Sequence, residues 1–452
     1  SGSGDPGAGG LIDRTVATVR RLANGSISFA TGQGGNSSSG DGGAGGAITN
    51  SSVRTAISSS VFFNTGGGGE AISTGSFAGA GGAMDRITAA IGTLLSGSFS
   101  FTTGDGGEGN SGGSGGDGGN LNALTLSLAG GDVTQLTVAT GSGGTGEAVG
   151  GSGGSITKSK LTLGALLEAN ETAIVAGDGQ DGQSIRGGAG GGMSDFTVIT
   201  AAIHAGAFEI QAGRGGDGTG SAEGGTGRSL ERMVLTATGS FSDGFLITSG
   251  DGGDRDLGGN GAAGGMIDRL TLNIPAAISP TEVAEISAGD GGDGEGVTSF
   301  GGAGGIVSNL KLADPRTFNS YEINGGSGGS GDTGGNGGSL DTIALNTPFA
   351  TVAITSGDGS NGDATGGPGG FIHKVTGRIG VLMAEAGTGG NGNHSGGAGG
   401  TIEALKVTVL RMAQKIQAGA GGNGTGPAGL GGVGGCVLHW KIVGDVGKFT
   451  KT

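Results

Sequence analysis

Two kinds of glycine block alternate along the whole chain, and like blocks recur at a nearly constant distance. A Gly-x-Gly-x group opens at residues 32, 66, 104, 141, 177, 213, 250, 289, 326, 357, 387 and 419. The steps between them lie near 36 residues at first and near 31 from residue 326 onward. A second block closes each unit. It reads GAGG at 7–10, 43–46, 79–82, 188–191, 302–305 and 397–400, with GDGG, GSGG, GTGR, AAGG, GNGG, GPGG and GVGG as variants in the other units. A period of this length marks a stack of like units, none of which can bury its own apolar face alone.

Apolar residues follow the closing block at spacing i, i+3, i+5, as in Leu121, Leu124 and Leu126 or Ile267, Leu270 and Leu272. The last two alternate as in a half-buried strand. A second strand precedes each opening block. Three residues before it stand Phe29, Phe63, Phe101, Val138, Ile174, Ile210, Ile247, Ile286, Ile323, Ile354, Ala384 and Ile416. Five before it stand, among others, Ile27, Val61, Phe99, Leu136, Thr172, Phe208, Leu382 and Gln414. The residue just before it is nearly always Ala, Ser, Thr or Gly, a small corner closing a period-two strand.

Glycine supplies 119 of the 452 residues, while the 7 prolines and the lack of a strict every-third glycine exclude collagen. Aromatics are 4%, with one Trp and one Tyr, too few large side chains to fill an ordinary globular interior. The expected fold is therefore all-β: one glycine-rich parallel β-solenoid domain over 1–452, with a partial first turn at 1–31, regular turns over 32–418 and a terminal turn at 419–452. It would make about 12 to 13 turns of two short strands and one glycine-rich limb each. The GxGGxG spacing approximates a three-residue turn, which favours a polyproline-II-like limb over a strand. Between the glycine blocks the sequence varies freely (NSSS at 36–39, DRDL at 254–257, EGVTSF at 295–300), as an exposed edge would.

These GAGG and GxGG blocks resemble those of glycine-rich bacterial cell-surface repeat proteins, including mycobacterial ones, and the strand ladders resemble β-solenoid adhesins. The resemblance implies an extracellular or cell-surface, non-enzymatic role and transfers no functional residues.

Charge and motifs narrow the chemistry. A net charge of −15 repels nucleic acid and can attract cations. One Cys excludes an intrachain disulfide, and no run of 18 apolar residues predicts a membrane span. Gly289, Gly291, Gly292 and Gly294 resemble a phosphate loop, but no Lys-Ser/Thr pair and no helix follow. Carboxylates near the opening glycines make Asp178, Asp181, Asp251, Asp254, Asp290 and Asp293 calcium candidates, since glycine-loop carbonyls can complete an oxygen shell. No other cofactor is expected. The spacing of nonapeptide calcium repeats is absent, and Asp also serves turns and solubility.

Catalytic groups do not gather. The histidines His204, His373, His394 and His439 fall at different register positions, and Asp85, Asp195, Asp268 and Asp341 read as one polar register after the first apolar position. Cys436 reads as an ordinary small residue, and Trp440 as a core residue in the column of Leu270, Leu310 and Leu405. Sequons begin at Asn24, Asn36, Asn50, Asn170, Asn393 and Asn423. Thr125, Thr162 and Thr271 read as one register, interrupted by Val234, Lys311 and Ala344, so an ice-binding threonine face is a minor alternative. Ser1 is no initiator Met and no leader is evident, so the chain reads as processed or cut from a longer one. It opens in mid-unit and ends soon after Trp440 without a polar cap. The expectation is a structural repeat protein that forms a filament, sheath or adhesin stalk by head-to-tail stacking. A glycan- or surface-binding module and a β-helix enzyme acting on polysaccharide are the alternatives.

Overall fold

In the computed structural model, each turn of the chain lays its strands parallel to their counterparts one turn later, which makes an all-β parallel solenoid. The structure describes residues 6–21, 25–58, 60–169, 171–205, 208–220, 222–238, 244–256, 258–274, 283–314 and 320–446, and among these there is no helix. The chain divides into two compact units, Ser1–Gly225 with Leu235–Asp243, and Thr226–Val234 with Gly244–Thr452.

Three ladders, rather than the two expected, run through each unit. The additional one is only two residues long, which hid it inside the i, i+3 spacing. In the first unit this short ladder begins its rungs at Ile12, Ile48, Met84, Leu121, Ile156 and Met193. In the second unit the rungs begin at Leu230, Ile267, Val307, Leu340, Ile372, Ile402 and Val437. With a period of about 36 residues, the solenoid makes about 11 turns.

The second and third ladders carry the core. In the first unit Val53, Ala89, Leu126, Leu161 and Val198 align in register on the second ladder. Phe29, Phe63, Phe101, Val138, Ile174 and Ile210 align on the third, as the period implied. Stacked rings top this column: Phe29 and Phe63 have centroids 4.5 Å apart, Phe63 and Phe101 5.2 Å. In the second unit Ile247, Ile286, Ile323, Ile354, Ala384 and Ile416 form the matching column. Most of these side chains are fully buried, each worth roughly 1.5–3 kcal/mol when large and apolar. In the column five residues before the opening glycines the expected register fails at Leu382, which pairs with Ala413 and not with Gln414, because a bulge intervenes before Met383 meets Lys415. Some turns join the second and third strands into one, as in Thr88–Thr102 and Leu340–Thr355.

The glycines form two limbs per turn, one leaving the third ladder and one returning to the short ladder. Their hydrogen bonds repeat every third residue. On the return limb Gly42 and Gly45 donate to Phe77 and Ala80 of the next turn, while Gly43 and Gly46 donate across to Gly35 and Gly32 of the outgoing limb. Asp41 and Ala44, the third members of each triplet, are exposed. This is the three-residue period of a polyproline-II-like helix. The limbs pack against each other, so their outward side chains face opposite ways. A Cβ on Gly43, Gly45 or Gly46 would strike backbone of a neighbouring limb, which is why these positions exclude every larger residue.

Candidate functional site

Polar groups in this molecule are used mainly between one turn and the next. At the end of the third ladder a hydroxyl bridges the limbs. Thr140 Oγ1 donates to the Gly154 carbonyl at 2.5 Å and accepts from Gly177 N–H at 2.9 Å. Thr31, Thr65, Thr103, Ser249 and Ser356 do the same. The hydroxyl-bearing turns stretch the direct limb bond, with Gly177 N–H to the Gly154 carbonyl at 3.1 Å. Where Ala176 replaces the hydroxyl, the corresponding Gly213 to Gly191 bond tightens to 2.8 Å.

The calcium candidates occupy the outward positions of the outgoing limb. In each, one carboxylate oxygen accepts the backbone N–H of the matching residue a turn later. Asp178 accepts from Arg214 and Asp181 from Asp217. Asp251 accepts from Asp290 and Asp254 from Asp293, and those two accept in turn from Ser327 and Ser330. An outward N–H finds no carbonyl on a neighbouring limb, so the side chain of the previous turn satisfies it. Asn361 and Asn391 perform the same duty without charge. Burial pushes the Asp290 carboxyl above its usual range; the bond from Ser327 opposes this and repulsion from Asp251 adds to it. Among the described residues no three His, Cys, Asp or Glu side chains converge where a metal ion could sit.

The corner after the short ladder is the second recurrent polar feature. Its residue has φ between 47° and 58° in every rung: Arg14, Asn50, Arg86, Ala123, Lys158 and Asp195 in the first unit, then Arg232, Arg269, Asn309, Thr342, Lys374, Ala404 and His439. A left-handed conformation usually selects glycine, yet none stands here. The twist keeps the corner N–H in the ladder, as Arg14 N donates to Thr49 and Arg269 N to Ser308. It also aims the side chain at neighbouring turns. Asp268 Oδ1 accepts from Ser308 Oγ at 2.7 Å and Asn309 Nδ2 at 2.8 Å, and Arg269 Nε lies 2.7 Å from its other oxygen. Although burial alone would raise it, these bonds hold the Asp268 carboxyl below its usual value. Asp13 is held down by Asn50 and Thr49 in the same way.

The structure also corrects several sequence expectations. Asp85, Asp268 and Asp341 do share the register after the first apolar position, but Asp195 does not. Ser194 pairs at that register, and Asp195 stands at the corner. His373 Nδ1 contacts Asp341 at 2.8 Å and His439 Nδ1 contacts Glu403 at 3.4 Å, each pair joining successive turns. The side chain of His204, like Asn24 and Asn170, lies outside the described ones. Thr162 pairs with Ser127 and Ile199, and Lys160 is the partner of Thr125, so Thr162 leaves the threonine register, which instead holds Thr88 beside Thr125 and is interrupted by Lys160, Lys311 and Ala344. Trp440 lies on the last layer and is 49% exposed, whereas Leu270, Leu310 and Leu405 are buried. Cys436 is a free, exposed thiol. The variable segments do form an edge where the limbs meet, and even there single bridges connect turn to turn, from Ser37 to Ala71, Gly109 and Gly146.

Sequence reasoning missed a groove between the corner residues and the first outward residues of the second ladder. In the second unit it is lined at one level by Asp268, Arg269, Thr271, Asn309 and Lys311, and at another by Thr342, Lys374, Thr376, Ala404 and Lys406. The signal was present in the recurrence of Lys and Arg two and four residues after the rung. No family model, no curated protein and no solved structure matches the chain.

Proposed function

We propose that the chain is a non-enzymatic structural element, a scaffold of a cell-surface filament, sheath or stalk outside the cell. One observation carries the reading. The polar groups that recur from turn to turn are engaged in stacking: hydroxyls between limbs, carboxylates on outward N–H groups, corner Asn side chains on a neighbouring turn. Repetition of one layer is what a material needs and what a single active site does not. Electron microscopy of the native assembly, with sedimentation of the purified chain, tests this. The expected result is ordered assemblies of many copies. A chain that stays monomeric at high concentration and in its native setting would overturn it.

An adhesin-like edge is the second reading. It is supported by apolar side chains exposed where the limbs meet, Phe77 and Ile185 in the first unit, Val297 and Phe300 in the second. A glycan array without signal for the intact chain would remove the glycan form of it.

A further inference from the structure

Charge is spread unevenly over the ladders of the second unit: the carboxylates of the short ladder, Asp268, Asp341 and Glu403, each lie against an Arg or His, and Lys415 of the third ladder lies against Glu385. The corner and second ladder present Arg269, Lys311, Lys374, Arg378, Lys406 and Lys441, all exposed, along and beside the groove. The third ladder and outgoing limb present Asp251, Glu285, Asp290, Asp293, Glu322 and Asp358. Each face stacks like on like. Lys406 and Lys441 are register partners, as are Glu285 and Glu322, and Asp290 follows Asp251. Like charges directly opposite on neighbouring strands destabilise a sheet. Among the described residues no ion pair joins Lys311, Lys374, Lys406, Lys441 or Glu322 to an opposite charge of the chain.

We propose that the cationic groove of the second unit docks the acidic face of a second copy of this chain, side by side. Both surfaces climb one layer per turn, about 4.8 Å. Their charges therefore stay in phase along the contact, whereas a foreign polymer with another repeat drifts out of phase within a few layers. Each exposed pair contributes little, so the contact depends on their number. The two faces differ, which makes the contact heterologous, and each added copy offers a fresh face to the next. The inference rests on the reading of the chain as a self-assembling scaffold, and salt separates the two. Stacking through apolar layers survives high salt, and charge docking does not.

The test is sedimentation of the full chain at about 0.15 M salt, where the Debye length is about 8 Å, and at about 1 M, where it is about 3 Å. Side-by-side docking gives reversible association at the lower salt that is lost at the higher. The variant Lys311→Glu/Lys374→Glu/Lys406→Glu alone, and Glu285→Lys/Glu322→Lys alone, each lose at least about tenfold in association constant. An equimolar mixture of the two variants recovers association, because the reversed groove of one again meets reversed side chains on the other. Should a reversal variant fail to fold by circular dichroism, Lys311→Gln/Lys374→Gln/Lys406→Gln replaces it and shows the same loss. A wild-type chain that stays monomeric at both salts overturns the inference. So does association that persists at about 1 M salt and ignores both variants, a result that would leave the scaffold reading intact.

Discussion

Four consecutive glycines, Gly66 to Gly69, provide a test of the limb packing, since only one of them should be replaceable. A Cβ on Gly68 would fall inside the carbonyl of Gly79 on the return limb, and one on Gly66 or Gly69 inside the carbonyl of Gly32 or Gly35 a turn earlier. For Gly67 the nearest atom is the Asp105 carbonyl oxygen at 3.4 Å, an ordinary contact. To admit Gly68→Ala the limbs must part by roughly 1 Å or more. That breaks bonds such as Gly68 N–H to the Asp105 carbonyl, Gly69 N–H to Gly43 and Gly79 N–H to Gly69, each 2.8 Å. Two or three such losses, with their groups left unsatisfied, amount to about 3–5 kcal/mol. Gly67→Ala should instead gain about 0.4–1 kcal/mol by restricting the unfolded chain. Gly67→Asn should do better still, because it offers Asp105 N–H the acceptor that Asp105 itself offers Ser142. Denaturant unfolding gives the stability difference, and hydrogen exchange of amides 104–107 shows whether the strain opens the limbs locally. Equal stability of Gly67→Ala and Gly68→Ala, within about 0.5 kcal/mol, with unchanged exchange, would refute the packing argument.

Three further outcomes are expected. Thr172 is fully buried in the column of Leu136 and Phe208, and its hydroxyl has no partner, so Thr172→Val should raise stability by about 1–2 kcal/mol in denaturant unfolding. Thr140→Ala should cost only about 1 kcal/mol by the same measurement, because the direct limb bond can close as it does beside Ala176. Asp268 and Asp290 should show opposite pH behaviour in melts of their Asn variants. The lowered Asp268 pKa stabilises the fold above the unfolded value of about 3.9, so the wild-type advantage over Asp268→Asn shrinks as pH falls through that region. The raised Asp290 pKa costs stability above the folded value, so Asp290→Asn is the more stable at neutral pH and loses that lead on acidification.

The period was readable because every turn must present its apolar residues to the same neighbours. The column from Phe29 to Ile210 was therefore legible from spacing alone. The corner was not, because left-handed φ is a backbone property and thirteen different neighbourhoods satisfy it with Arg, Asn, Lys, Ala, Asp, Thr or His. A faint signal existed, since no Val or Ile ever stands there. The groove escaped for a related reason. Lys374 and Lys406 are far apart in sequence, and become neighbours only once the register of successive turns is known. The placement of Asp195 and Thr162 failed by one and two residues, an error that sends a side chain into another column.

The three-residue rhythm of the limbs sets rules for how this chain can change its length. Losing one residue from a limb rotates everything beyond it by a third of a turn, which would bring an Asp where only glycine fits. Limb insertions and deletions must therefore come in threes, whereas the edge between limbs accepts any number. The step from Leu340 to Ile372 is 32 residues and the step from Ile267 to Val307 is 40, yet both limbs persist in each turn. Growth by duplication of whole turns, followed by free drift at the edge and in the link between the second and third ladders, is the evolutionary path this geometry leaves open.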